Sequence, residues 1–99
     1  MSQVGDILKE AAALFDQRHA VYGDNYKKVG AVFAALFPDG VQCTTAHDWN
    51  RMHILMLMIV KVTRYTENWA RGGHQDSLAD LAVYGAMLQA IDAGGTDAT

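Results

Sequence analysis

The sequence predicts an all-α fold: a four-helix bundle-like domain with a long central third helix, completed by oligomerisation. Three observations carry this. Apolar residues recur at three- and four-residue spacing in four successive segments, Gly, Pro and Asp clusters punctuate them, and no stretch alternates with period two. The 99 residues make one domain, expected over 1–92 with a flexible C-terminal tail over 93–99. A chain this short buries a modest core, so extra burial from a homo-oligomer is expected.

The first helix is predicted from Val4 to about Ala20, with Val4, Leu8, Ala11 and Phe15 at helical spacing and Ile7 and Leu14 widening the stripe. Continuing the stripe puts Arg18 and Tyr22 near the core side, where a guanidinium is snorkelling, paired or in contact with a ligand. Tyr22-Gly23-Asp24 breaks the pattern, with Asp24 suited to cap the next helix. Val29, Val32, Phe33 and Leu36 give the second helix its buried face, and Gly30 within it suggests close packing on another backbone or is simply tolerated. Pro38-Asp39-Gly40 ends it at Phe37.

Thr45-Ala46-His47-Asp48 matches a capping box and opens a helix to about Trp69. Its middle, Ile54 to Val60, is apolar on every side, so that segment is expected to be central and covered by other helices and a second subunit. The methionines at 52, 56 and 58 read as ordinary core at helical spacing. Gly72-Gly73 stops the helix, and Asp76 or Ser77 is expected to cap a fourth, with Leu78, Leu81, Gly85 and Leu88 on its inner face to about Ile91.

Charge and composition exclude several functions. A net charge of −3 with scattered Lys and Arg argues against duplex nucleic acid, although a few cations can hold one small anion. Cys43 is alone, which fits a reducing cytoplasm and allows no intrachain disulfide. No signal peptide is expected at the N-terminus, and the apolar run at Ile54–Val60 is far short of the ~20 residues of a membrane span, so no membrane partner is expected. No nucleophile elbow, Walker loop, dinucleotide fingerprint or HExxH zinc spacing occurs, so no catalytic residue and no obligatory cofactor is assigned.

The chemistry concentrates between Lys61 and Tyr84. Lys61, Arg64 and Asn68 share one helix face with Tyr65 beside them, a pattern that serves as a solvated face or as an anion or nucleotide cradle. On the fourth helix Asp76 and Asp80 are one turn apart, Tyr84 continues their face and His74 precedes them. The two carboxylates can cap the helix, pair with Lys61 or Arg64, contact a ligand or, if any metal binds, chelate Mg²⁺.

Tyr22-Gly23-Asp24, Lys61-x-x-Arg64-Tyr65 and Gly72-Gly73-His74-x-Asp76-Ser77-x-x-Asp80-Leu81-x-x-Tyr84 together resemble small all-helical phage proteins, over roughly residues 7–92. Related phage proteins often follow the YGD element with Pro and then Asn; here Asn25 follows directly and Lys28 holds the later position. Those proteins are distantly similar to the MazG-like and dimeric dUTPase-type all-α nucleotide pyrophosphohydrolases, which build a Mg²⁺ site from Glu-x-x-Glu and Glu-x-x-Asp pairs. This chain has only Glu10 and Glu67, neither in such a pair.

The resemblance therefore implies a nucleotide site without its usual metal chemistry. The expectation is a phage-type protein in the host cell cytoplasm that binds a nucleotide or nucleotide-derived immune signal without turnover, an anti-defence role. Arg18, Tyr22, Asp24, Lys61, Arg64, Tyr65, Asn68, His74, Asp76, Asp80 and Tyr84 are its candidate ligand contacts. The alternatives are Mg²⁺-dependent nucleotide hydrolysis and a structural or host-protein-binding module.

Overall fold

The computed structural model describes residues 3–94. It is all-α: α1 (Gln3–Tyr22), a 3₁₀ turn (Asn25–Lys27), α2 (Val29–Leu36), α3 (Ala46–Glu67), a second 3₁₀ turn (Trp69–Arg71) and α4 (Gln75–Ala93). No helix is long and apolar enough to cross a membrane.

The framework is an antiparallel hairpin of α3 and α4, with α2 and the first 3₁₀ turn packed on α3. Its register shows in cross-helix pairs: Arg51 Nε meets Asp92 Oδ1 at 3.0 Å, Lys61 Nζ meets Asp80 Oδ2 at 2.9 Å, and the Met58 methyl reaches Gly85 between them. Thr45 starts α3 with a full capping box: its hydroxyl accepts from the Asp48 N–H at 3.1 Å, and Asp48 Oδ2 accepts from the Thr45 N–H at 3.3 Å. Such a cap contributes about 0.5–2 kcal/mol. The Asp48 carboxylate also accepts from the Thr44 N–H, the chief reason its pKa is lowered.

The turn between α3 and α4 is built on backbone geometry. Asn68, the C-cap of α3, is buried, donates from Nδ2 to the Arg64 carbonyl at 2.8 Å, and its own carbonyl accepts from the Arg71 and Gly73 N–H groups. Gly73 has φ +89°, and a Cβ there would sit 2.5 Å from the Tyr65 ring, so both the left-handed backbone and the close ring demand glycine.

Local chemistry departs from expectation in several places. The cap of α4 is His74, not Asp76 or Ser77: its Nδ1 accepts from the Ser77 N–H at 3.2 Å and lies 2.6 Å from the Ser77 hydroxyl. Ser77 is the most buried side chain among the described residues, its hydroxyl satisfied inside the first turn. Asp24 makes no cap bond and instead accepts from His19, because α1 continues to Tyr22 and brings His19 within 3.0 Å of Asp24. Gly30 meets nothing within 4 Å in this chain, which fits a tolerated glycine and not a close helix contact. Leu36 and Leu78 are exposed and not on the inner faces to which the spacing assigned them. Of the expected tail, Ala93 ends α4 and Gly94 caps it, while residues 95–99 lie outside the described part.

Burial is slight. Among the described residues Ile54, 8% exposed, is the one buried hydrophobic side chain. The apolar middle of α3 is covered by α4 on one side, leaving Leu55, Leu57, Met58, Ile59 and Val60 half-buried and Met56 exposed. The radius of gyration is 17.0 Å, against about 13 Å for a compact domain of this length.

Candidate functional site

The site begins where α1 ends. Tyr22 is its last residue, and Gly23, at φ +58°, turns the chain so tightly over α3 that a Cβ would lie 2.8 Å from the Glu67 carboxylate. That turn delivers Asn25 to the start of the first 3₁₀ segment and Lys28 to Glu67, with which it forms an ion pair. Three elements then meet on one ring. The Arg64 guanidinium of α3 lies 4.3 Å over the Tyr22 face, and the His74 ring of α4 meets Tyr22 edge-on at 5.7 Å. A cation over an aromatic face contributes roughly 0.5–2 kcal/mol, more as water is excluded.

Beside this stack is a cleft of about 260 Å³, walled by Phe15, Arg18, His19 and Tyr22 from α1, Asn25 and Tyr26 from the 3₁₀ turn, and Val60 and Arg64 from α3. Phe15 and Tyr26 meet edge-to-face at 6.1 Å, and Phe15 stacks on His19 at 5.3 Å. The lining is thus aromatic with a few polar groups, the usual makeup of a small-molecule site. A second, smaller hollow of about 130 Å³ lies at the other end of the hairpin, beside the Arg51–Asp92 pair.

The electrostatics of the larger cleft favour an anion. Its nearby acids already have partners, Glu67 in an ion pair with Lys28 and Asp24 in a hydrogen bond with His19. The His19 hydrogen bond, followed by the Lys27 charge, holds the Asp24 pKa below the usual carboxylate value. Neither Arg18 nor Arg64 has a carboxylate within ion-pair reach among the described residues. Arg64 Nε is enclosed without an acceptor, and Asn25, only 7% exposed, holds Oδ1 enclosed without a donor. Burying a polar group unsatisfied costs about 1–3 kcal/mol, a cost that a ligand with matching groups removes.

The candidate residues divide. Arg18, Tyr22 and Arg64 converge on the cleft, Asp24 stands at its edge through His19, and His74 meets Tyr22 edge-on without lining the cleft. Lys61 turns the other way: its side chain is 13% exposed and ion-paired with Asp80 between α3 and α4. Tyr65 packs against Gly73 and edge-on to Trp69 at 5.9 Å, and Asn68 holds the helix end, so neither lines the cleft. Asp76 is exposed in the first turn of α4, and Tyr84 is half-buried one turn beyond Asp80. Among the described residues no three His, Cys, Asp or Glu side chains are grouped to share a metal ion, so Asp76 and Asp80 have no third ligand beside them.

Among the cleft residues not named as ligand contacts from the sequence are Phe15, His19, Asn25 and Tyr26. Phe15 belongs to the same stripe as Arg18 and Tyr22 and was legible as part of one face. Asn25 and Tyr26 reach the cleft only because Gly23 reverses the chain, which spacing does not reveal. No protein-family model, curated protein or solved structure matches the chain.

Proposed function

We propose that the chain binds a nucleotide or nucleotide-derived small molecule in the Arg18–Arg64 cleft and holds it without turnover. One observation carries the reading: two guanidiniums without acidic partners face an aromatic cleft walled in part by Asn25, whose Oδ1 is enclosed and unsatisfied. Arg18 and Arg64 meet phosphate, for which the planar guanidinium fork is well shaped. The Asn25 amide, offering both donor and acceptor, reads a base edge or sugar hydroxyl. Phe15 and Tyr26, in edge-to-face contact with each other, together give the base an apolar wall on one side, since the Tyr22 face is covered by Arg64. The cleft volume suits a ligand of mononucleotide size more than a strand.

Binding is preferred to hydrolysis because the acids near the cleft are already engaged, Glu67 in an ion pair with Lys28 and Asp24 in a hydrogen bond with His19, and Asp80 is ion-paired with Lys61. Holding a ligand intact is what sequestration of a nucleotide-derived host signal requires, and that is the biological role proposed.

Thermal melting with a panel of nucleoside mono-, di- and triphosphates and cyclic dinucleotides, with and without Mg²⁺, tests the reading. At a hundred times its Kd a bound nucleotide stabilises the native state by about 2.7 kcal/mol, on the order of 10 °C for a domain of this size. The nucleotide should be recovered unchanged, and Asn25→Ala should reduce the shift. Absence of any stabilisation overturns the proposal. Mg²⁺-dependent product formation that is lost in Asp80→Asn replaces it with the hydrolase.

A further inference from the structure

α1 is amphipathic along its length, but only its C-terminal part touches the rest of the chain. At 3.6 residues per turn, Val4, Ile7, Leu8, Ala11, Phe15 and Tyr22 fall on one face. Phe15 and Tyr22 turn that face onto the cleft against α3. The same face continues through Val4 and Leu8, which are 64% and 63% exposed, and no residue of α1 is buried. α4 has the complementary defect: Leu81, Gly85 and Leu88 are half-buried, while Val83 and Met87 on another side are exposed. A helix apolar on two sides is built for two neighbours.

The areas match this reading. The accessible surface is 7259 Å². A compact monomer of this mass exposes roughly 5,500 Å². Allowing roughly 100 Å² for each residue outside the description, more than about 1,000 Å² of excess remains per chain, so two chains together bring about 2,000 Å², the range of obligate dimers. The opposite face of α1 carries Asp6, Lys9, Glu10 and Asp16, mixed and mainly acidic, unlike the Lys- and Arg-rich face of a helix lying on a membrane.

We infer that a second copy of this chain covers the apolar face of α1, each α1 docking on the exposed Val83–Met87 flank of the other copy's α4. A two-fold arrangement hides both surfaces at once and closes on itself. Because Phe15 and Tyr22 share the docked face, the second copy arrives beside the cleft mouth. The contact itself requires no ligand.

Sedimentation equilibrium of the full chain without ligand, over about 10–200 µM, tests it, because association depends on concentration. The expected mass is at least twice 10.8 kDa. Leu8→Glu and Met87→Glu should each weaken association by about 100-fold or more, whereas Lys9→Glu on the opposite face should not change it. With Leu8 63% exposed in a single chain, its replacement would disturb the fold only if another copy covers it, so loss of helical circular dichroism in Leu8→Glu also supports coverage. A wild-type mass of 10.8 kDa throughout, with or without flotation on anionic vesicles, overturns the inference. So does an unchanged mass for Leu8→Glu, and an unchanged mass for Met87→Glu overturns docking on α4.

Discussion

Replacing Arg64 by methionine should stabilise the fold or leave it unchanged while weakening ligand binding, a combination that a purely structural arginine does not give. Methionine retains the stem that packs beside Val60 and Tyr22 but removes the charged head. The loss is the guanidinium lying 4.3 Å over the Tyr22 ring, worth about 0.5–2 kcal/mol. The gain is relief of the enclosed, partnerless Nε, worth about 1–3 kcal/mol. The net effect therefore lies between about 1 kcal/mol of loss and about 2.5 kcal/mol of gain, centred on slight stabilisation of about 1 kcal/mol and a few degrees in Tm for a domain this small. In the complex, one charge-assisted hydrogen bond to phosphate disappears, worth about 1.5–3 kcal/mol, so Kd should rise roughly 10- to 150-fold. Urea denaturation at fixed protein concentration and calorimetric titration with the tightest nucleotide of the panel measure the two effects. A variant that loses more than about 1 kcal/mol of stability while keeping wild-type affinity refutes the reasoning, because Arg64 then serves the fold and not the ligand.

The remaining predictions concern the scaffold around the cleft. Gly72 and Gly73 both have positive φ, yet only Gly73 faces the Tyr65 ring; Gly73→Ala should therefore lower Tm clearly more than Gly72→Ala, measured side by side. Asp80→Asn strands the largely enclosed Lys61 ammonium and should cost about 1–2 kcal/mol, the half-exposed Asp80 side limiting the loss; Lys61→Met should cost less, and chemical denaturation compares them. Asp24 is held below its usual 3.8 in the folded chain, so its contribution is present above that value and is lost as pH falls through the lowered folded pKa. Asp24→Asn should flatten the acid limb of Tm against pH below about 4, and an unchanged limb would show that the His19 bond does not form in solution.

Much of the architecture was legible locally. The Thr45–Asp48 cap, the Pro38–Gly40 break and the double glycine at 72–73 state their roles within a few residues, because capping and left-handed backbone are short-range chemistry. The α4 cap was misread because Ser77 and Asp76 are common caps, whereas His74 succeeds through a ring nitrogen that a propensity ranking does not favour. Gly30 fits either a close helix contact or a tolerated glycine, because spacing alone does not say which backbone, if any, approaches.

The site was legible as a region and not as a constellation. Lys61 and Arg64 lie three residues apart, near enough to seem one cradle, yet the rotation between them is enough to send Lys61 toward Asp80 on α4 and Arg64 toward Tyr22 on α1. Periodicity reports which residues share a face, but not which neighbour that face meets.

The sequence by itself determined the all-α class, the helix order and most helix ends, because hydrogen-bond closure, caps and turns act between near neighbours. Tertiary structure decided that Arg18, Tyr22, Asn25 and Arg64 share one cleft, that Lys61 is committed to Asp80, and that α1 leaves its apolar face uncovered. Those outcomes depend on the sharp reversal at Gly23 and on the α3–α4 register, both of which set distances between residues far apart in the chain.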